Sequence, residues 1–312
     1  GAYLGALLAR SGEDVTLIAR GPHLQAMRTN GVRIITSKED TSVPVRATDD
    51  PDEVGPVDVV VLGVKAHGLP AIAGKLGPLL SSETSVLAAQ NGVPWWYFYK
   101  HGGALEGTNL ATLDPDGAIN RNICIDRVIG CVVYPSAVVL EPGVIQHVEG
   151  DRFSIGELDG STTDRCKQIA EAFIRSGLRC PIRPRIRQDI WVKLLGSVAF
   201  NPLSALTRAT LEQLATDPEI SFVAREVMAE ADTIARALGV PIPVTIEQRL
   251  NGAAKVGAHK TSMLQDLELG RPMELGALVG AVIELGETLG IKTPTTRIVY
   301  GCAKLLEANS LR

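Results

Sequence analysis

The stretch from Asp189 to Asn201 constrains the fold of this chain more than any other segment. It is apolar almost throughout, and residues 194–207 carry no charge. On a helix, Lys193, Ser197 and Asn201 would lie along one side, each about one turn after the last. The other sides are hydrophobic, so the sequence predicts a helix that is buried nearly all round.

A lysine on such a helix has two interpretations. Lysine is rarely buried unless it is paired or functional, and the two hydrogen-bonding side chains beside Lys193 favour a polar cleft. Alternatively, the side chain extends along its own stem until the ammonium reaches the surface. The helix alone leaves both interpretations open.

Composition sets limits on the class of protein. The chain has 312 residues, which is typical of two domains or one large one. Its formal net charge of −4 gives no indication of nucleic-acid binding. We find no apolar run long enough to span a membrane and no signal peptide. The five cysteines and five histidines are dispersed, so we expect a cytoplasmic protein without a metal site.

The first twenty residues predict the second half of a βαβ unit. A helix starts at Gly1 and ends near Gly12, and a strand follows from Asp14 to Arg20. The strand and glycine-rich turn that would precede this helix are not in the sequence. We therefore expect the chain to be truncated at its N-terminus, with Gly1 as the last glycine of a G-x-G-x-x-G turn. A helix packed closely on a sheet would explain the same glycine.

Arg20 lies at the predicted end of that strand. In dinucleotide-binding folds this position meets the adenosine ribose, where an acid suits NAD and an arginine suits the 2′-phosphate of NADP. No acid is present beside Arg20, so the sequence favours NADPH. The alternative is an ordinary surface arginine in a loop.

Polar residues also follow two predicted buried strands, 58–65 and 85–92. Lys65 ends the first and Asn91 ends the second. Because ligands bind at the carboxyl ends of strands in open parallel sheets, these two residues indicate a cofactor-binding edge. A turn at Asn91-Gly92 is the simpler alternative.

The remaining predicted elements divide the chain near Pro184. Before it we predict a hairpin of strands 31–36 and 43–48, a helix over 69–80, strands 128–136, 144–148 and 152–155, a helix over 162–176 and a short last strand 180–183. The aromatic cluster 94–99 is expected to cap a pocket or pack under a loop. After Pro184 we predict helices only, over 189–201 (ending before Pro202), 219–238, 246–256 and 274–289, and a short tail over 303–308.

Together, the motifs in this chain resemble the ketopantoate reductase family (2-dehydropantoate 2-reductase). The matching pieces are the helix start at Gly1 to Gly5, Val64-Lys65-Ala66, Gln90-Asn91-Gly92, Trp191-x-Lys193-Leu194, Asn201-Pro202, and Ser262-Met-Leu-Gln-Asp266 with Glu274 after it. The resemblance implies an α/β protein with a Rossmann-type dinucleotide-binding domain over residues 1–184 and an all-helical C-terminal domain over residues 185–312. It also implies NADPH-dependent reduction of a 2-oxo acid, most simply 2-dehydropantoate, in the synthesis of coenzyme A precursors.

The same resemblance implies roles for the residues of the cleft between the domains. Lys193 would protonate the ketone oxygen, and Glu274 would interact with the lysine and with bound ligands. Ser262 would hold the substrate carboxylate, and Asn201 would bind the hydroxyl end of the substrate. As alternatives from the residues themselves, Glu274 is a first-turn acid of a helix and Ser262 is a helix N-cap.

On the cofactor side, the resemblance places Lys65 and Asn91, beside the Gly1 and Arg20 that the βαβ pattern assigns to the cofactor. Ser197 departs from the family pattern, because many relatives carry asparagine there; its hydroxyl can still bind substrate. A small 2-oxo acid is then the expected partner, with neither nucleic acid nor membrane involved, and a homodimer is a further expectation. Two alternative functions are a related dehydrogenase acting on another 2-hydroxy acid and a dinucleotide sensor without turnover.

Overall fold

The computed structural model describes residues 1–311, which form an α/β part followed by a helical part. The strands are β1 (Thr16–Ile18), β2 (Val32–Ile35), β3 (Asp40–Val43), β4 (Arg46–Thr48), β5 (Val59–Leu62), β6 (Ser85–Ala88), β7 (Val128–Val133), β8 (Ser136–Glu141), β9 (Val144–Glu149) and β10 (Phe153–Glu157). The helices among them are α1 (Ala2–Arg10), α2 (Gly21–Asn30), α3 (Leu69–Ala73), α4 (Ala118–Asn122) and α5 (Asp164–Arg175).

A four-stranded sheet of order β10-β7-β6-β5 lies at the centre of the α/β part. β5, β6 and β7 are parallel, and β10 is antiparallel to β7. β6 is buried along its whole length, as expected for an apolar strand covered on both faces. The carboxyl ends of the three parallel strands therefore meet at one edge, which is where an open α/β sheet binds its ligand.

The predicted hairpin of residues 31–36 and 43–48 is wrong in its pairing. β2 pairs antiparallel with β3, whereas β4 pairs in parallel with β1. Pro44 falls between β3 and β4 and has no backbone N–H to donate, so the strand that starts at Asp40 ends before it. β2 also pairs with β9, which completes a second four-stranded sheet of order β3-β2-β9-β8.

Three other predictions for this part need correction. The predicted helix 69–80 ends at Ala73, and only a 3₁₀ turn, Gly77–Leu79, follows it. The predicted strand 128–136 is two strands, β7 and β8, separated at Pro135. Residues 180–183 are not a regular strand, because this region pairs only through isolated bridges, Arg152 with Arg179 and Ile155 with Ile182.

From residue 185 to the end of the described chain, the regular elements are all helical. They are α6 (Ile186–Thr207), α7 (Leu211–Thr216), α8 (Pro218–Ala237), α9 (Ile246–Val256), α10 (Ser262–Glu268), a π-helical segment (Gly276–Gly280), α11 (Ala281–Leu289) and α12 (Pro294–Ser310). The tail predicted over 303–308 is thus the second half of a 17-residue helix. α7 was not predicted at all.

α6 is the central helix of this part, and its predicted end at Asn201 is wrong. The helix continues through Pro202 to Thr207. A proline inside a helix costs about 3 kcal/mol through its missing hydrogen bond and ring clash. The turn that follows packs Leu203, Ser204 and Ala205 into the core, and this burial offsets the cost.

α6 also corrects the expectation about membrane-spanning segments. By length and composition alone it could cross a membrane, with a mean hydropathy of 1.2 over an 18-residue window. However, 67% of that window is buried inside the protein, so in this structure it is a core helix.

One hydrophobic core joins the central sheet to α6. It includes Leu62 and Val86 from the sheet and Leu194 from the helix. The aromatic cluster 94–99 lies at this junction, with Tyr97 completely buried and its hydroxyl 2.7 Å from the indole Nε1 of Trp191, which donates to it. The cluster therefore holds α6 against the sheet edge.

Candidate active site

Lys193 reaches from α6 to the carboxyl edge of the central sheet. Its ammonium Nζ donates a hydrogen bond to Oδ1 of Asn91 at 2.5 Å, and a second to the backbone carbonyl oxygen of Val133. Asn91 follows β6 and Val133 ends β7. The ammonium is therefore enclosed at the edge of the sheet, and the surface-lysine interpretation does not hold.

Burial lowers the pKa of Lys193 to about 8, because the enclosed charge has lost its hydration. The negative charge of Glu274 opposes that shift. At neutral pH the lysine is still mostly protonated, but it gives up its proton far more readily than a lysine in water. This is the behaviour of a general acid working near neutral pH.

Glu274 is a buried acid that contacts the sheet edge. One carboxylate oxygen accepts from the backbone N–H of Ala66 at 3.2 Å, and the other accepts from Nδ2 of Asn91 at 3.3 Å. Within residues 1–311 it makes no direct ion pair with Lys193, so the expected contact between them runs through Asn91. Glu274 also precedes the helix that starts at Leu275, which removes the first-turn alternative.

Lys65 contacts the helical part of the protein. Its ammonium forms an ion pair with Asp266 of α10 and lies 3.5 Å from the carbonyl oxygen of Pro272. Burial raises the pKa of Asp266, and the Lys65 charge opposes that shift. The Lys65–Asp266 ion pair and the hydrogen bonds of Glu274 are thus two sets of polar contacts between the sheet edge and the helical part.

Ser197 lies beside Lys193, but two other predicted substrate residues lie apart from this network. The Ser197 hydroxyl donates to the Lys193 carbonyl at 3.2 Å and lines a small cavity with Lys193 and Asn91. Asn201 is half-buried, and Ser262 is exposed at the first position of α10. Neither side chain has a hydrogen-bond partner among residues 1–311. The N-cap of α10 is Thr261, so the capping alternative for Ser262 was wrong by one residue.

Gly1 and Arg20 are the two residues that the sequence predicts to contact the phosphates of a dinucleotide. Gly1 precedes α1 and packs against Gly63 after β5, so closely that a Cβ on Gly63 would lie 2.8 Å from the Gly1 Cα. Arg20 is exposed at the end of β1 and has no hydrogen bond or ion pair to the rest of the described chain. A backbone cradle and an unpaired guanidinium fit a phosphorylated dinucleotide.

Sequence reasoning did not assign roles to several residues of the site. Asp266 belongs to the Ser262-Met-Leu-Gln-Asp266 motif, but nothing in the sequence indicates its ion pair with Lys65. The Val133 carbonyl carries no side-chain signal at all. Gln90 donates from Nε2 to the Leu62 carbonyl at 2.9 Å, and its buried Oε1 has no partner among the described residues. Only its position beside Asn91 could have indicated it.

The fold and the lysine-centred cleft define a two-domain oxidoreductase of the dinucleotide-binding class. The chain belongs to the ketopantoate reductase family. The family model for ketopantoate reductase PanE/ApbA matches residues 1–160, and the model for the C-terminal domain of ketopantoate reductase PanE/ApbA matches residues 185–307. The family resemblance drawn from the sequence motifs is thereby confirmed.

Individual relatives agree over nearly the whole chain. A 2-dehydropantoate 2-reductase from Mesorhizobium japonicum is 49% identical over 307 residues, which cover 98% of this chain and 94% of that protein. A solved structure of a ketopantoate reductase homologue from Ralstonia solanacearum MolK2 superposes with a TM-score of 0.94 at 40% identity, covering 98% of this chain and 94% of that one. A 2-dehydropantoate 2-reductase structure from Geobacter metallireducens superposes with a TM-score of 0.85 at 26% identity, covering 97% and 95%.

Proposed function

We propose that this protein reduces 2-dehydropantoate to pantoate with NADPH. The observation that carries the proposal is the enclosed ammonium of Lys193 at the carboxyl edge of the sheet. Membership of the family and the 49% identity to a 2-dehydropantoate 2-reductase support the choice of substrate. The boundary near Pro184 then separates a cofactor-binding domain, 1–184, from the domain that supplies the lysine, 185–312.

The cofactor is assigned to the sheet edge. Gly1 would let the dinucleotide approach the start of α1, and Arg20 would pair with the 2′-phosphate. Asn91 and Lys65, which follow parallel strands at that edge, would lie beside the nicotinamide side of the cleft. When bound, NADPH supplies a hydride to the ketone carbon.

Lys193 supplies the proton and the positive charge. Reduction of a ketone places negative charge on its oxygen, and an ammonium within hydrogen-bonding distance stabilises that charge. The pKa of about 8 allows Lys193 to hold its proton at pH 7 and to transfer it as the oxygen becomes basic. Asn91 orients the ammonium from the other side, through its Oδ1.

Glu274 is proposed to position Asn91 and to keep Lys193 protonated. It holds the Asn91 amide through one oxygen, and its charge raises the lysine pKa against the effect of burial. Ser262 is proposed to contact the substrate carboxylate. Ser197 and Asn201, which follow Lys193 on α6, are proposed to bind the rest of the substrate.

The proposal is tested by NADPH oxidation with a panel of 2-oxo acids. We expect 2-dehydropantoate to give the highest kcat/KM. A different 2-oxo acid at the top of the panel would support the related dehydrogenase, which Ser197 in place of asparagine favours. NADPH binding without turnover of any 2-oxo acid would support the sensor. A homodimer and a cytoplasmic location also stay predictions, which sedimentation and cell fractionation would test.

A further inference from the structure

Arg249 of α9 places its guanidinium directly against α6, at Gly196. A Cβ built on Gly196 would overlap Nη2 of Arg249 and would lie 3.1 Å from both Cζ and Nε. Gly196 comes three residues after Lys193, so the two positions are neighbours on the helix surface. It also immediately precedes Ser197, which lines the cavity beside the lysine. The guanidinium thus occupies a slot that a glycine in α6 leaves open.

This guanidinium has no counter-charge in the part of the chain that the structure describes. Nε of Arg249 is inaccessible to solvent and has no hydrogen-bond partner among the described residues. Within residues 1–311, no carboxylate pairs with it and no carbonyl accepts from it. By contrast, Arg225 of the neighbouring α8 pairs with Glu247 of α9 at 2.8 Å. An unpaired, largely buried cation is costly, so its presence beside a reaction site calls for an anion from outside the chain.

The surroundings of Arg249 favour an anion. Its charge acts on the hydroxyl of Tyr134, which follows β7. The Tyr134 ring centroid lies 5.9 Å from Nζ of Lys193 and 3.8 Å from Cζ of Arg152. Two cations therefore lie beside the Tyr134 ring, and the charge of Arg249 also acts to lower the pKa of its hydroxyl, against the effect of burial. Asp189 also influences Tyr134, but its carboxylate is paired with Arg183 at 3.0 Å.

We propose that Arg249 binds the carboxylate of the substrate while Lys193 acts on its ketone oxygen. The substrate class rests on the proposed function. In a 2-oxo acid the carboxylate is bonded directly to the ketone carbon, so the groups that bind them must be neighbours. Arg249 packs on Gly196, three residues after Lys193 on α6. A guanidinium matches a carboxylate with two parallel hydrogen bonds. It supplies the positive charge that the neutral hydroxyl of Ser262 does not.

Steady-state kinetics with a 2-oxo acid and its primary amide test this role. We expect Arg249→Ala to lower kcat/KM for the acid by about 10- to 100-fold, the range for losing hydrogen bonds to a charged group. The amide has no carboxylate, so its kcat/KM should hardly change. Arg249→Lys should recover only part of the loss, because an ammonium keeps the positive charge but cannot reproduce the paired hydrogen bonds of a guanidinium. Arg225→Ala, which removes an exposed arginine near the same helices, is the matched control and should leave both substrates unaffected.

Gly196→Ala gives a second test that keeps the arginine. The new methyl group must displace the guanidinium, which is the movable end of a long side chain. KM for the acid should therefore rise, while the melting temperature stays equal or increases, since alanine favours a helix over glycine. An unchanged KM in Gly196→Ala and in Arg249→Ala would overturn the inference.

Calorimetric titration with oxamate, an unreactive 2-oxo acid analogue, separates this inference from the proposed function. Binding that needs Arg249 in a protein that reduces no 2-oxo acid would sustain the inference and overturn the proposed function. Turnover of 2-oxo acids with equal acid and amide kinetics in wild type and Arg249→Ala would do the reverse. A protein that neither binds oxamate nor turns over any 2-oxo acid would overturn both.

Discussion

Lys193 and Glu274 are linked through one intervening side chain and not by a direct ion pair. Asn91 accepts from the lysine through Oδ1 and donates to the glutamate through Nδ2. The carboxylate consequently acts on the ammonium at a distance, as a charge that raises its pKa. This leaves the lysine proton free to move to a substrate.

Replacing Lys193 with Ala should lower kcat by roughly 10²–10⁴-fold, the range for losing a positioned general acid. NADPH affinity, measured by fluorescence titration, should change little. In the double variant with Glu274→Gln, the fold-loss in kcat should be smaller than the product of the two single-variant losses, because both side chains act on one proton. Lys255→Ala, on the exposed face of α9, serves as the control. Turnover close to wild type in the Lys193 variant would leave the lysine with a structural role only.

The pH dependence of kcat/KM should reflect the pKa of Lys193. Reduction needs Lys193 protonated, so kcat/KM should be flat at low pH and fall as pH rises through about 8. Glu274→Gln removes the charge that raises this pKa, so the fall should begin at lower pH. Glu287→Gln removes an exposed acid paired with Arg297 and should leave the profile unchanged. Identical profiles for wild type and Glu274→Gln would contradict the electrostatic role of Glu274.

The free energy of unfolding should also depend on the protonation of Lys193. The pKa of Lys193 is about 8 in the folded state and 10.5 in its ordinary environment. Between these values the unfolded chain binds the proton and the folded chain does not, so stability increases with pH. Wild type should gain up to about 3 kcal/mol relative to Lys193→Met across this window. Urea unfolding at pH 7.5 and pH 10 measures the difference, and parallel changes in the two proteins would refute it.

Arg20→Ala should weaken the binding of NADPH but not that of NADH. One lost charge-assisted contact to the 2′-phosphate is worth about 1.5–3 kcal/mol, or roughly 10- to 100-fold in KM for NADPH. KM for NADH should stay nearly constant. Arg46→Ala removes an exposed arginine from the adjacent β4 and provides the comparison. Equal losses for both cofactors would rule out Arg20 as the phosphate ligand.

Gly92→Ala should damage both stability and activity. Gly92 has a φ of +85°, and a Cβ there would lie 2.5 Å from the carbonyl carbon of Ala277. The Ala277 carbonyl oxygen also accepts from the N–H of Val93 at 2.9 Å, so neither backbone can move away freely. We expect a loss of at least 2 kcal/mol, roughly, in unfolding free energy. Gly68→Ala meets nothing within 4 Å and should be nearly neutral.

The sequence allowed prediction of those parts of the fold that local pattern determines. The apolar runs of β5 and β6, and the helix carrying Lys193, are visible in periodicity and composition alone. Strand partners are not, which is why β4 was paired with the wrong neighbour: pairing depends on contacts between distant residues. The predicted helix end before Pro202 is wrong for a similar reason. The burial of Leu203 to Ala205 outweighs the local tendency of proline to end a helix.

The candidate site divides in the same way. Lys193 and Ser197 could be placed together because helical spacing connects them, and Asn91 because parallel strands end at one edge. The pairing of Lys65 with Asp266 and the packing of Arg249 on Gly196 bring together residues that are far apart in the chain. No spacing rule connects such pairs.

The π-helical segment Gly276–Gly280 has a consequence for insertions and deletions. A π turn contains one residue more than an α turn, and each residue of an α-helix rotates the chain by about 100°. Deleting a single residue within 276–280 would let this segment join α11 as regular α-helix, and the backbone would be more regular than before. Glu274, however, would then turn about a quarter of a circle away from Asn91. A shortened chain could therefore fold well and be inactive.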